Sequence, residues 1–77
     1  MTSESRSGGS FERVTVNLTQ KSSEALANAV ELTRDSKTDS LNKALQLYDL
    51  VQSVLANGGA VYIREVAGGE LERLRLL

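Results

Sequence analysis

Residues 12–19 read Glu-Arg-Val-Thr-Val-Asn-Leu-Thr, and this alternating run constrains the chain more than any other feature. Val14, Val16 and Leu18 fall on one face, and Arg13, Thr15 and Asn17 fall on the other. Strict period-two alternation predicts a strand with one side buried and the other facing out. A solvated strand face is usually built from Lys, Glu or Ser. Arg, Thr and Asn are instead side chains that can read base edges in a DNA major groove. Alternating strands are common, so the run needs support from the rest of the chain.

The chain has 77 residues, which is one small domain. A domain this size buries a small share of its surface and usually takes extra stability from disulfides, a metal or a partner. It contains no Cys and no His, which excludes disulfides and a zinc site of the usual Cys/His type. Association with another chain is the staple that remains. Catalysis finds little support either, because acid–base and nucleophilic work would fall to Asp, Glu, Lys, Ser or Tyr. No phosphate-binding Gly-rich loop and no Ser-centred elbow occurs. We therefore expect a protein that is not an enzyme and uses no cofactor or metal. The apolar stretches are shorter than a membrane span, and the N-terminus lacks a signal-peptide core. The expectation is a soluble, cytoplasmic protein without a membrane partner. A net charge of -1 and a pI of about 5.3 argue mildly against nucleic-acid binding. They do not exclude a binder whose few cations share one face.

Residues 1–10 are Ser- and Gly-rich and read as a flexible tail. Arg6 in that tail is within reach of a phosphate only if the tail lies along DNA. Residues 11–58 form the domain proper, and residues 59–77 a C-terminal extension. After the strand, Thr19 is placed to cap a first helix with apolar positions Ala25, Leu26, Ala29 and Val30, and Leu32 as a further candidate. That helix should end near Thr33. The short Arg34-Asp35 connection then makes the two helices immediate neighbours.

Ser36-Lys37-Thr38-Asp39 matches the capping pattern that opens a second helix. Its apolar run is Leu41, Ala44, Leu45, Leu47, Tyr48, Leu50, Val51, Val54 and Leu55. This arc is wider than one neighbouring helix can cover, which points to a second subunit. Tyr48 belongs to this core or interface surface, and Lys43 reads as a solvated helix residue. Gly58-Gly59 ends the helix, with Gly58 a natural left-handed cap. In the extension, Val61-Tyr62-Ile63 is β-prone and Gly68-Gly69 signals a turn. A two-residue turn there sets Ile63 opposite Leu74 and Val61 opposite Leu76. It also opposes Arg64 to Arg73 and Glu65 to Glu72, which is unfavourable. A short helix over Leu71, Leu74 and Leu77 is the rival to this hairpin.

Strand, helix, short turn and capped helix is the order of the ribbon-helix-helix DNA-binding proteins of the Arc/MetJ/CopG type, and the chain resembles that family. The resemblance covers residues 13–55. It is carried by Arg-Val-Thr-Val-Asn-Leu-Thr at 13–19 and Ser-Lys-Thr-Asp-Ser-Leu-Asn-Lys-Ala-Leu at 36–45. It implies a mostly helical fold with one N-terminal strand, in an intertwined homodimer whose two strands form an antiparallel ribbon, with the tail hairpin added. The ribbon would enter the major groove of double-stranded DNA, with Arg13, Thr15 and Asn17 contacting bases. Val14, Val16 and Leu18 would lie over the helices, and Ser36, Lys37 and Thr38 would grip a backbone phosphate. Many relatives carry Gly where this chain has Arg34. Either Arg34 is left-handed, at a cost on the order of 1 kcal/mol, or the turn differs here and shifts the phosphate-gripping segment.

The function implied is that of a sequence-specific transcriptional repressor, with several dimers able to bind side by side. Rival readings are an antitoxin or a plasmid-partition adaptor, in which residues 60–77 bind a second protein. A further rival is a dimeric assembly module with no DNA role.

Overall fold

The computed structural model describes residues 12–75. The tail at residues 1–10, with Arg6, and the opposition of Val61 to Leu76 lie outside that range. Helix α1 spans Gln20–Thr33 and helix α2 spans Lys37–Ala56. A two-stranded antiparallel sheet follows, made of β1 (Tyr62–Ile63) and β2 (Glu72–Arg73). The chain is mostly helical. Among the described residues no helix is long and apolar enough to cross a membrane.

Both helices start where side-chain chemistry dictates. Thr19 is extended (φ -65°, ψ 164°), and its Oγ1 accepts the Ser22 N–H at 3.1 Å. Ser36 repeats this geometry (φ -69°, ψ 164°), its Oγ accepting the Asp39 N–H at 3.0 Å. Each cap satisfies one of the amides that a helix start leaves without an intrahelical acceptor. Helix α1 stops at Arg34, which is left-handed at φ 64° and donates its N–H to Val30 O at 2.8 Å. A side chain in that conformation costs about 1 kcal/mol that glycine avoids. Replacing Arg34 with Gly should therefore raise the urea midpoint by an amount equivalent to about 1 kcal/mol at unchanged m. A lower midpoint would show that the Arg34 side chain contributes more than its backbone strain removes.

Helix α2 ends in a Schellman motif. Gly58 is left-handed at φ 83°, its N–H bonds Leu55 O at 3.0 Å, and the Gly59 N–H bonds Val54 O at 2.9 Å. These bonds satisfy carbonyls that the last turn would otherwise leave open.

The two helices pack on each other, and neither packs on a strand. Leu26, Ala29 and Val30 of α1 are half-buried, whereas Ala25 is exposed and Leu32 is 75% exposed. The apolar stripe of α1 is thus narrower than its composition implies. On α2, Val51 is the one buried hydrophobic side chain among the described residues. Val54 and Leu55 are half-buried. Leu45, Leu47, Tyr48 and Leu50 remain 67%, 61%, 55% and 61% exposed. A 14-residue helix covers one strip of its 20-residue neighbour and leaves apolar rows on either side of Val51.

One expectation is corrected, and another concerns a pair of chains. Within one chain residues 12–18 carry no regular secondary structure, and the strand expected there is one that pairs between two chains. Val14 and Val16 are 64% and 59% exposed and Leu18 is 41% exposed, so the chain's own helices do not cover them. A strand exists only when a neighbour accepts its backbone hydrogen bonds, and residues 12–18 meet no such neighbour here. The hairpin forms, but in another register.

Tyr62 opposes Arg73 and Ile63 opposes Glu72, with the Leu74 N–H donated to Val61 O at 2.7 Å. The slide of two positions keeps every side chain on its expected face. It also removes the Arg64–Arg73 and Glu65–Glu72 oppositions. The two-residue turn is replaced by a longer connection. Within it, residues 66–69 form a turn closed by the Gly69 N–H to Val66 O at 2.9 Å, with Gly68 at φ 78°. That third position requires a positive φ, as in a type II turn.

Candidate nucleic-acid interface

Arg13, Thr15 and Asn17 lie in the segment that leads into the Thr19 cap, and all three are exposed. None makes a side-chain hydrogen bond or ion pair among the described residues. Arg13 in particular is not paired with Glu12 or with any other carboxylate among the described residues. An extended, paired backbone over this run would put these three on one side.

Ser36, Lys37 and Thr38 sit together at the start of α2. The first bond internal to that helix is Ser40 N–H to Ser36 O at 2.9 Å. Ser36 Oγ takes the Asp39 amide. The amides of Lys37 and Thr38 therefore have no acceptor among the described residues. They point outward at the positive end of the helix dipole, an arrangement suited to an anion. No hydrogen bond or ion pair among the described residues joins this set to Arg13, Thr15 or Asn17.

Replacing Ser36 with Ala removes the cap and should destabilise the protein by about 1 kcal/mol, read as a lower urea midpoint. Replacing it with Asp should keep the midpoint and place a negative charge where an anion would sit. A full loss of stability with Asp would contradict the cap geometry.

Sequence reasoning missed the role of Lys43. Its Nζ donates to Asp35 Oδ2 at 2.7 Å, tying the interhelical turn to the second turn of α2. The hydrogen bond from Lys43 holds the Asp35 carboxyl below its ordinary range, with the Lys43 charge and a hydrogen bond involving Thr33 acting in the same direction against partial desolvation. The same bond holds the Lys43 ammonium above its ordinary value, reinforced by the charges of Asp35 and then Asp39. Thr33 Oγ1 also accepts the Asp35 N–H at 3.2 Å and donates to Ala29 O at 2.9 Å. The turn that presents residues 36–38 is thereby held by side chains on both sides. It also means that Asp35, one residue before the cap, is paired with a cation of its own chain, while Asp39 lies in the first turn of α2. Lys37 is then the cation beside the two open amides.

No family model, curated protein or solved structure matches this chain.

Proposed function

We propose that this chain works as a ribbon-helix-helix homodimer that binds duplex DNA in a sequence-specific manner and acts as a transcriptional repressor. The observation that carries this reading is the state of residues 12–18. An alternating run enters a capped helix with its apolar side chains exposed, and neither its backbone before Thr19 nor its polar side chains find a partner among the described residues. A second copy supplies what the run lacks. Two such segments pair antiparallel, and the exposed Val14, Val16, Leu45, Tyr48 and neighbouring residues give the apolar area that a dimer needs.

Symmetry sharpens the arrangement. Opposed residues in a ribbon share a face, so a two-fold axis relating identical strands must pass through a pair of identical residues. Centred on Thr15, the axis sets Arg13 against Asn17 of the partner subunit on the polar face. Val14 then meets Val16 of the partner subunit on the apolar face. A strand of six residues is about 20 Å long, and the major groove admits a two-stranded ribbon. Arg13 suits a bidentate bond to guanine, Asn17 one to adenine, and Thr15 a base edge or a thymine methyl. Phosphates held at Ser36, Lys37 and Thr38 on each chain fix the register, while the ribbon selects the sequence. Two helix starts hold anions without net positive charge, which accommodates a chain of net charge -1.

The test is selection from a pool of random duplexes. The reading predicts enrichment of a short, near-palindromic motif, because the dimer presents the same side chains twice. Retention of duplexes with no shared motif would leave non-specific binding, and no retention would leave a dimeric assembly module.

A further inference from the structure

The hairpin register sorts the charges of the C-terminal extension onto opposite faces. Opposed residues share a face and successive residues alternate. Tyr62 and Arg73 therefore lie on one face, and Ile63 and Glu72 on the other. The Leu74 N–H to Val61 O bond carries the ladder a step further, and the alternation then sets Arg75 beside Arg73. Arg64 has the same parity as Tyr62. Its Nε donates to Gly69 O at 2.6 Å, which braces the connection and leaves its terminal nitrogens without a partner among the described residues. Glu65 and Glu70 belong to the connection outside the ladder. Residues 60–75 carry as many carboxylates as guanidiniums, yet one face of the hairpin holds arginines and no acid.

This concentration stands out in a chain with 9 Lys and Arg against 10 Asp and Glu. Arg73 in β2 and, by continued alternation at the strand ends, Arg64 and Arg75 fall on one hairpin face, while Lys43 is already spent on Asp35. Tyr62, at 56% exposed, lies among them and offers a hydroxyl donor. Guanidiniums in a row on an exposed sheet face complement a line of phosphates better than they complement a mixed-charge protein surface.

We infer that the Tyr62/Arg64/Arg73/Arg75 face of the C-terminal hairpin is a second duplex-DNA contact surface that engages the phosphate backbone beside the site read by the ribbon. The inference rests on the DNA-binding reading above, and it assigns the extension to affinity and not to base choice.

The test compares the full-length chain with Arg73→Gln/Arg75→Gln, Arg73→Lys/Arg75→Lys and Glu72→Gln, using an enriched duplex and a scrambled duplex of equal length. The quantity read is the slope of log affinity against log salt. Two phosphates per chain in a dimer make four, so the Gln pair should lower the slope by about 3 to 4. It should weaken binding to both duplexes by the same factor. The Lys pair should keep the slope, and Glu72→Gln, on the reverse face, should not lower it. An unchanged slope in the Gln pair, with the wild type still bound to DNA, overturns the inference and leaves the ribbon reading intact. A slope lost in the Lys pair as well also overturns it, since charge would not be the cause. If the wild type binds neither duplex, the DNA-binding reading itself fails and the hairpin assignment falls with it.

Discussion

The melting temperature of this protein should rise by roughly 6–11 °C when its concentration is raised a hundredfold. Each factor of ten shifts a dimer's stability by about 1.4 kcal/mol, and 1 kcal/mol moves a cooperative unit of about 150 residues by about 2–4 °C. The motive is the packing: among the described residues one hydrophobic side chain, Val51, is buried, while Leu45, Tyr48, Val14 and Val16 are each more than half exposed. Fully covering one such side chain contributes about 1.5–3 kcal/mol, and a two-fold axis counts it twice. Replacing Leu45 with Asp should remove that contribution and confront the interface with an unpaired carboxylate. The expected outcome is dissociation in sedimentation, with loss of helix signal at the same low concentration. A melting temperature independent of concentration, or a Leu45→Asp variant as stable as the parent, would refute the dimer and the ribbon together.

Replacing Arg13 and Asn17 with Ala should reduce binding to an enriched duplex to the level of a scrambled one. A good bidentate contact discriminates by about 1–3 kcal/mol, and the dimer would lose four of them. Their nominal sum matches the gap of about 4–10 kcal/mol that separates specific from non-specific binding. The dimer itself should survive, because both side chains are exposed and make no hydrogen bond or ion pair among the described residues. Replacing Lys37 with Ala should do the reverse. Affinity should fall by one factor for every sequence, and the salt slope should drop by about 2 per dimer. Relaxed sequence choice in Lys37→Ala, or retained choice in the ribbon double variant, would contradict this division of roles.

Much of the helical region was legible from short stretches of sequence. Thr19 and Ser36 cap because their oxygens reach an amide three residues on. For Arg34 the sequence left two turns open, and the structure decides for the left-handed one at φ 64°. Gly58 closes α2 through bonds to residues no more than five positions away. Of the candidate site, the open amides at 37 and 38 were legible because they follow from the cap, while the shared face of Arg13, Thr15 and Asn17 depends on a strand that one chain does not form. The tie between Lys43 and Asp35 was not legible, because eight residues separate the two. No helical periodicity pairs such positions. Only the turn between the helices brings them together.

The sequence alone thus determined where helices begin and end and which side chains share a face, since each depends on bonds between residues a few positions apart. Only the tertiary structure decided the hairpin register, where sliding two positions preserves every face and only cross-strand charge separates the alternatives. It also decided that the apolar sides of α2 and of residues 12–18 are left bare by their own chain. Composition records how much apolar surface a chain has. What covers that surface is settled by the length and placement of its neighbours, and a 14-residue helix is too short to enclose a 20-residue one.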